Sequence, residues 1–233
     1  MVDRSMPANY ARVLFFAIAA CLAGNVAAGV EALYALDIAT PLTEFDARCL
    51  KICRYSALFL RAYSPFVSDG FEASVCGSFQ IAKKAGFGIE LYMIPFSPNP
   101  QDAARQFDRL YNGLRGCQIL AQRIWLVKYG IEIGIYTNED DWSKITNGYP
   151  GLSPTPLLWY WNVKGTGPMG ETPMNFDDFR PFASWKVPTV KQFGQQVFVC
   201  GHKANRDTYF ARQTSTNTVP SGNVSYAGDI VFQ

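Results

Sequence analysis

The sequence has one histidine, no run of basic residues and little net charge. His202 is the single histidine of 233 residues, so a metal centre built on several histidines is excluded. Lys and Arg total 21 against 19 Asp and Glu, for a formal charge of +2. Since no cluster of basic side chains could neutralise several phosphates together, nucleic acid is not an expected partner.

The sequence also lacks the signatures of cofactor binding and of acyl transfer. Its strand-to-helix turns contain neither a phosphate loop nor a dinucleotide fingerprint, and we expect no cofactor and no metal. His202 has no evident serine and carboxylate partners, so we interpret it as a surface histidine.

Apolar and aromatic side chains are what the chain has in quantity. Hydrophobic residues make up 48% of it and charged residues 17%, which supports a sizeable core and argues against disorder. The aromatic share is 15%, with 17 Phe, 12 Tyr and 5 Trp. Such a content suits a packed core or a groove that stacks on flat ligands, and composition alone leaves both open.

The amino-terminal segment has the pattern of a secretory signal peptide. Arg4 and Arg12 precede an apolar run over 13–23, and the small residues Val26 and Ala28 fit the site that signal peptidase cuts. We expect cleavage after Ala28 and a secreted protein without a membrane partner. An uncleaved anchor is the alternative, but the run is much shorter than the roughly 20 residues that span a bilayer.

The cysteines are interpreted in the light of secretion. If Cys21 is removed with the signal peptide, five cysteines remain, and at least one of them stays unpaired within the chain. Cys49 and Cys53 are four residues apart, which places both thiols on one face of a helix. A zinc site there is a weaker interpretation than structural thiols or disulfides, because only one histidine is available.

Strands alternate with helices along the rest of the chain, which predicts an α/β fold and favours a β/α barrel. The clearest helix starts at Asn99 and Pro100 and places Phe107, Leu110 and Leu114 on one stripe. We expect one domain over 29–210 and a polar carboxy-terminal tail over 211–233. The predicted strands are 33–38, 57–63, 88–96, 131–137, 157–163, 189–193 and 197–200.

One connection does not fit a regular barrel. Residues 123–126 could form a strand, but only four residues then separate it from the strand that begins at Ile131. Because parallel neighbours need a crossover of about a dozen residues or more, a parallel step is excluded here. The alternative is a helix over 118–129 that ends at Gly130, and both interpretations leave the barrel short of about one element in the middle.

Several short motifs occur in a particular order along the chain. They are Ala35-Leu36-Asp37, Ala85-Gly86-Phe87 with 91–95, 133–137 with Trp142, 158–161, and Lys191-Gln192-Phe193 with 199–201. Together, from about Leu36 to Tyr209, they resemble the nematode and amoebal lysozymes of glycoside hydrolase family 25. The resemblance implies an irregular, TIM-like β/α barrel, a secreted protein of antibacterial defence or digestion, and a groove that binds peptidoglycan.

The resemblance also implies a disulfide and groove residues. Cys49 and Cys200 match cysteines near the first helix and the last strand of the family, so we expect them to pair. Tyr92 and Gln192 stand where the family lines its groove.

The aromatic strand over 157–163 is a further candidate for binding sugar. Trp159 and Trp161 share one face of this strand, and flat aromatic rings stack on sugar rings. The alternative is that they fill the interior of the barrel.

The family cuts its glycan with carboxylates at the ends of strands. An acid protonates the leaving oxygen, and a second carboxylate supports the positive charge that develops on the sugar. The resemblance assigns Asp37 to the first acidic position. It assigns Asp207 to the last one in displaced form, because Tyr209 stands where the family has Asn.

The Asp-x-Glu pair that the family carries on a middle strand is missing. Val127 and Tyr129 occupy the corresponding positions, and neither side chain is a carboxylic acid. We therefore predict a secreted lysozyme-like protein that is catalytically impaired and retains a wall-binding groove. Two alternatives stay open: an active lysozyme that uses Asp37 with another carboxylate, and a shortened chain that does not complete its barrel and is unstable.

Other acidic residues have local explanations. Glu90 and Glu132 lie at the beginnings of their strands, so we expect them at the bottom rim, away from the end where barrel enzymes keep their sites. Asp140 and Asp141 follow Asn138, a combination that is typical of a helix start.

Overall fold

The computed structural model describes residues 32–95, 100–125, 132–210, 225–228 and 230. The predicted signal peptide over 1–28 and the acid-pair positions Val127 and Tyr129 lie outside these residues. Within the described ranges, no helix combines the length and the apolar character needed to cross a membrane.

Eight strands form one barrel-like sheet, which confirms the predicted α/β fold. The strand order is β3-β2-β1-β9-β8-β7-β6-β5, and all neighbours are parallel except the two pairs that involve β9. The strands are β1 (Leu33–Ile38), β2 (Tyr55–Tyr63), β3 (Gly88–Met93), β4 (Ile119–Ala121), β5 (Arg123–Ile124), β6 (Glu132–Thr137), β7 (Leu157–Trp161), β8 (Val190–Val199), β9 (His202–Tyr209) and β10 (Ser225–Ala227).

The two edges of this sheet meet at Trp125. Its backbone N–H donates to the Leu91 carbonyl at 3.1 Å, and Trp125 forms a parallel bridge with Tyr92 of β3. Since β5 immediately precedes Trp125, this contact joins the last strand of the sheet to the first. The result is an irregular barrel with little open edge.

Four helices are described, and two of them begin at a capping side chain. They are α1 (Glu44–Ile52), α2 (Ser74–Lys84), α3 (Pro100–Gly116) and α4 (Glu139–Thr146). Thr43 and Asp46 form a capping box at α1, and the Asn138 side chain accepts from the Asp141 N–H at 2.8 Å at α4. The predicted stripe of α3 is confirmed, because Phe107, Leu110 and Leu114 are all buried.

Two layers of apolar side chains lie on the two faces of the sheet. The outer layer packs the strands against the helices, with Leu36, Leu58 and Leu91 at its centre. The inner layer fills the barrel with aromatic rings, and the Phe59 and Trp159 centroids are 4.5 Å apart. Strands buried on both faces are what a parallel sheet covered by helices requires.

β5 and β6 are parallel neighbours, so the prediction that excluded a parallel step between these segments was wrong. Arg123 pairs with Glu132 and Ile124 with Ile133 in parallel register, and the helix proposed over 118–129 is replaced by β4 and β5. The crossover rule assumes full-length strands, whose chain must return from one end of the sheet to the other. β5 has only 2 residues, so the return path is short.

The last strands also differ from the prediction. The predicted strands 189–193 and 197–200 are one strand, β8, whose register against β9 shifts between Gln192 and Val197. Gln196, at a positive φ of 54°, lies within this irregularity, which is typical of a β-bulge. The partner strand β9 was not predicted.

Two disulfides are present among the described residues. Cys49 bonds to Cys200, as the resemblance implied, and Cys76 bonds to Cys117. The Cys49, Cys53 and Cys200 sulfurs lie within 4.8 Å of one another, but two of them are already joined as a disulfide and are not free thiolate ligands for zinc. The described residues hold no free cysteine, so the expected unpaired thiol is not found there.

The described residues beyond 210 pack against the barrel. β10 pairs in parallel with β4, and Ile230 belongs to the inner apolar layer. The Ile230 carbonyl accepts from Arg123 Nη1 at 2.8 Å. The segment expected to be a polar tail therefore contributes a strand and an apolar side chain to the amino-terminal end of the barrel.

Replacing Gly134 by Ala tests the closure of the barrel. A Cβ at Gly134 would lie 1.6 Å from Trp125 Cε3, so the ring that closes the barrel must move. We expect Gly134→Ala to lower the free energy of unfolding by about 2 kcal/mol or more, as measured by urea denaturation.

The matched control is Gly77→Ala, because a Cβ at Gly77 meets nothing within 4 Å on α2. This change should raise stability by up to about 1 kcal/mol. Equal effects of the two variants would contradict the proposed closure. The absence of a cooperative transition in the wild type would instead favour the alternative of an incomplete barrel.

Candidate active site

The candidate site lies where the carboxyl ends of the parallel strands meet, which we call the barrel mouth. Asp37 stands near the end of β1, and Gln192 stands on β8. β9 runs in the opposite direction, and its register places Asn205 opposite Asp37 and Asp207 opposite Ala35. Asp207 is therefore deeper in the barrel than Asn205, although both side chains point to the same face.

Asp37 is held in a hydrogen-bonded pocket. One carboxylate oxygen accepts from Gln192 Nε2 at 2.7 Å, and both oxygens accept from Asn205 Nδ2 at 3.0 Å. Only 6% of the residue is exposed. Burial raises the pKa of Asp37 to about 6, although the hydrogen bonds to Asn205 and Gln192 and the charge of Arg61 oppose the change.

Asp207 is completely buried next to Asp37. Its Oδ1 accepts from the Trp159 indole N–H at 2.8 Å. Burial, and then the neighbouring charge of Asp37, raise the pKa of Asp207 well above its ordinary value. Two enclosed carboxyl groups of this kind cannot both be charged at low cost, so their titrations depend on each other.

The hydrogen-bonded side chains of Gln192, Tyr136 and Gln195 lie between Asp37 and the solvent. The Tyr136 hydroxyl donates to Gln192 Oε1 at 2.8 Å, and Gln195 Nε2 donates to the same oxygen at 2.7 Å. Gln192 is 1% exposed and Tyr136 is 42% exposed. Gln192 thus orients Asp37, while Tyr136 and the half-buried Gln195 are members of the network that a ligand can reach.

The sequence analysis did not identify Tyr136 or Asn205 as site residues. Strand alternation could have pointed to Asn205, which lies two residues before Asp207 and so shares its face. Tyr136 has the corresponding signal, since it lies at the end of a strand whose carboxyl end faces the mouth.

The two candidate tryptophans have different environments. Trp159 is 2% exposed and packs against Phe59 and Trp125 inside the barrel, which favours the alternative that it fills the core. Trp161 is half-buried, and its indole N–H donates to Asp141 Oδ2 at 3.1 Å. Tyr92 is also half-buried and contacts Trp159 edge-on.

The acidic residues at the other end of the barrel form an ion-pair network. Arg123 binds Glu90 at 2.9 Å and Glu132 at 2.6 Å. Glu132 is exposed as expected, but Glu90 is fully buried and also accepts from the Trp125 indole at 3.2 Å. These carboxylates stabilise the closure and do not reach the mouth.

His202 is buried, so its interpretation as a surface histidine was wrong. Its Nδ1 is 2.7 Å from Thr40 Oγ1, and its Nε2 is 3.3 Å from Asp46 Oδ2. The disulfide between Cys49 and Cys200 draws the turn between β8 and β9 onto α1, and this contact encloses the imidazole.

Comparisons with known sequences support the resemblance. The sequence model of a family described as lysozyme-like protein 1 matches residues 28–128 and 126–193. Lysozyme-like protein 1 of Caenorhabditis elegans is 40% identical over 215 residues, which cover 79% of this chain and 72% of that protein. A probable family 25 lysozyme of Dictyostelium discoideum is 28% identical over 200 residues, covering 74% of this chain and 88% of that protein.

A second nematode relative contains residues that this chain lacks. Lysozyme-like protein 7 of Caenorhabditis elegans is 36% identical over 258 aligned positions, covering 99% of this chain and 89% of that protein. Since the chain has 233 residues, the relative contains residues without a counterpart here. The two segments of the family match meet at 126–128, where the connection after β5 begins.

Solved structures share the fold at low sequence identity. A glycosyl hydrolase 25 of Streptococcus pneumoniae matches with a TM-score of 0.52 and 10% identity, over 85% of this chain and 92% of that one. The catalytic domain of an endolysin from a Listeria monocytogenes bacteriophage matches with a TM-score of 0.51 and 12% identity, over 78% and 94%.

The buried carboxyl pair predicts a pH-dependent stability difference between the wild type and Asp207→Asn. Folding raises the pKa of Asp37 to about 6 and raises the pKa of Asp207 well above its ordinary value. The stabilisation that accompanies the protonated carboxyl groups is therefore complete below about pH 4, where the unfolded chain is protonated too, and decreases as the pH rises from there. Asn keeps an acceptor for Trp159 but cannot ionise. The variant should therefore gain stability relative to the wild type between pH 4 and pH 7.

Urea denaturation at several pH values measures this difference. The control is Asp108→Asn on the exposed side of α3, which makes the same chemical change away from the buried pair. A constant difference for Asp207→Asn would contradict the raised pKa values.

Proposed function

Because the chain belongs to the lysozyme-like protein family, whose relatives include lysozymes of glycoside hydrolase family 25, we propose that it binds peptidoglycan at the barrel mouth without cutting it efficiently. The relatives are lysozymes or lysozyme-like proteins by description, and peptidoglycan is the glycan on which lysozymes act. The mouth is the part of the fold where barrel proteins bind their ligands.

The missing acid pair is the observation that carries this proposal. Residues 126–131 follow β5 and consist of Leu, Val, Lys, Tyr, Gly and Ile, without a carboxylate. Glycoside cleavage needs a protonated acid and a second carboxylate on opposite sides of the scissile bond. Loss of a positioned acid typically lowers the rate by about a hundredfold to ten-thousandfold.

The remaining carboxyl groups are poorly placed for this chemistry. Asp37 and Asp207 are 6% and 0% exposed, and their oxygens already bind Gln192, Asn205 and Trp159. A general acid must come within hydrogen-bond distance of the leaving oxygen. Enclosed groups do not meet that requirement unless the mouth opens.

Partly exposed aromatic rings support glycan binding. Trp161, Tyr136 and Tyr92 are arranged around the mouth, and the Trp161 ring is oriented by Asp141. The apolar faces of sugar rings pack on such aromatic surfaces, while amide and hydroxyl groups bind the sugar hydroxyls. Gln195 and the Tyr136 hydroxyl supply those polar groups.

We also propose that the protein acts outside the cell, in antibacterial defence or digestion. The amino-terminal pattern of a signal peptide supports export. Two disulfides in the described residues are typical of an oxidising compartment.

Wall binding and wall cleavage are measured together on protein collected from the medium of secreting cells that express the full chain. If the protein in the medium begins at Gly29, cleavage after Ala28 has occurred and export is supported. We expect the protein to sediment with insoluble peptidoglycan but not to clear a suspension of bacterial cells. Trp161→Ala should weaken binding about tenfold, the value of one well-placed aromatic contact.

The matched control is Tyr149→Ala, an exposed aromatic residue just after α4 whose backbone hydrogen bonds are made to Trp142 and Thr146 of that helix. It should bind peptidoglycan like the wild type. Absence of sedimentation would contradict glycan binding, and clearing at an enzyme-like rate would contradict catalytic impairment.

One observation favours the second candidate, an active lysozyme. The pKa of Asp37 is raised to about 6, and a raised pKa is what a carboxylic general acid needs near neutral pH. This candidate predicts that the wild type clears cells and that Asp37→Asn abolishes clearing while it leaves sedimentation intact. An unchanged clearing rate in Asp37→Asn would eliminate it.

A further inference from the structure

A cavity of about 320 Å³ lies beside the barrel mouth, outside the site described above. One wall is the connection between β2 and α2, with Tyr63, Ser68 and Gly70. The other wall is the first half of α3, with Asp102, Arg105 and Arg109. Its volume is in the range of small-ligand sites.

The wall formed by the connection is held in one conformation. The Ser64 N–H donates to the Gly70 carbonyl at 2.8 Å, and the Gly70 N–H donates to the Val67 carbonyl at 3.0 Å. Gly70 has a φ of +85°, and a Cβ there would lie 2.2 Å from the Tyr63 ring. A wall fixed in this way exists before a ligand arrives, which lowers the entropy cost of binding.

The α3 wall is cationic. Arg105 and Arg109 are one helical turn apart and lie on the same face. Asp102 is the one carboxylate among the lining residues, and it is already paired with Arg105. Within the described part of the chain, Arg109 has no ion-pair partner and is exposed. Its guanidinium is suited to a bidentate contact with a carboxylate.

The cavity adjoins the mouth through β2 and β3. Tyr63 lines the cavity, and Arg61, two residues earlier on the same strand, pairs with Tyr92. Tyr92 lies close enough to Asp37 for that carboxylate to raise its pKa, in addition to the larger effect of burial. The cavity and the mouth thus lie at the same, carboxyl end of β2 and β3.

We propose that this cavity binds the free carboxylate of a short peptide carried by the glycan that occupies the mouth. The inference rests on the proposed function, because wall glycan carries such peptides. Arg109 binds the carboxylate, while Pro65 and Val67 offer an apolar surface to small side chains such as alanine. The protein thereby distinguishes peptide-bearing glycan from bare glycan.

Isothermal titration calorimetry with two synthetic probes tests this proposal. The first is the N-acetylglucosaminyl-N-acetylmuramyl disaccharide with a pentapeptide that ends in a free carboxylate. The second is the same disaccharide with its lactyl group blocked as an N-methylamide. The wild type should bind the peptide-bearing probe about tenfold more tightly, as expected for one charge-assisted bidentate contact.

Arg109→Gln should abolish this preference and leave the affinity for the amide probe unchanged. The matched control is Arg115→Gln on the same helix, which lies outside the cavity lining and should keep the preference. Equal binding of both probes by the wild type, or a preference that persists in Arg109→Gln, would overturn the inference while glycan binding stands. Binding of neither probe would overturn the proposed function and the inference with it.

Discussion

The barrel depends on Trp125, which joins the two edges of its sheet. The backbone of Trp125 binds Leu91, its ring lies against Gly134, and its indole N–H reaches the buried carboxylate of Glu90. Without this residue β3 and β5 would present unpaired backbone groups to solvent. With it, the carboxyl ends of the parallel strands surround one mouth, and every residue of the candidate site is positioned relative to that mouth.

The same closure makes the fold independent of carboxylates in the connection between β5 and β6. The chain passes from β5 to β6 by a short connection that keeps the barrel ring complete but carries no Asp or Glu in its sequence. Asp37 and Asp207 remain, enclosed in a network that contains Gln192, Asn205 and Trp159. A scaffold held together by packing and backbone pairing does not require its catalytic groups.

Elements with strong local signals could be predicted from the sequence. The capping residues Thr43 and Asn138 and the stripe of α3 involve contacts within about four residues, which spacing alone reports. The pairing of β5 with β6 could not be predicted in this way, because the crossover rule depends on strand length and β5 is unusually short. The candidate site was predictable only in part: Asp37 and Asp207 were named, whereas Tyr136 and Asn205 were not.

The sequence by itself determined the α/β class, the main helices and, through its ordered motifs, the family and the disulfide between Cys49 and Cys200. Only the tertiary structure decided which side chains are accessible. Trp159 and Trp161 share a strand face, yet one fills the interior and the other reaches the mouth, because they differ in depth along the barrel axis. His202 is enclosed for a similar reason. Depth and enclosure arise from strands and turns distant in the chain, and a local pattern contains no information about them.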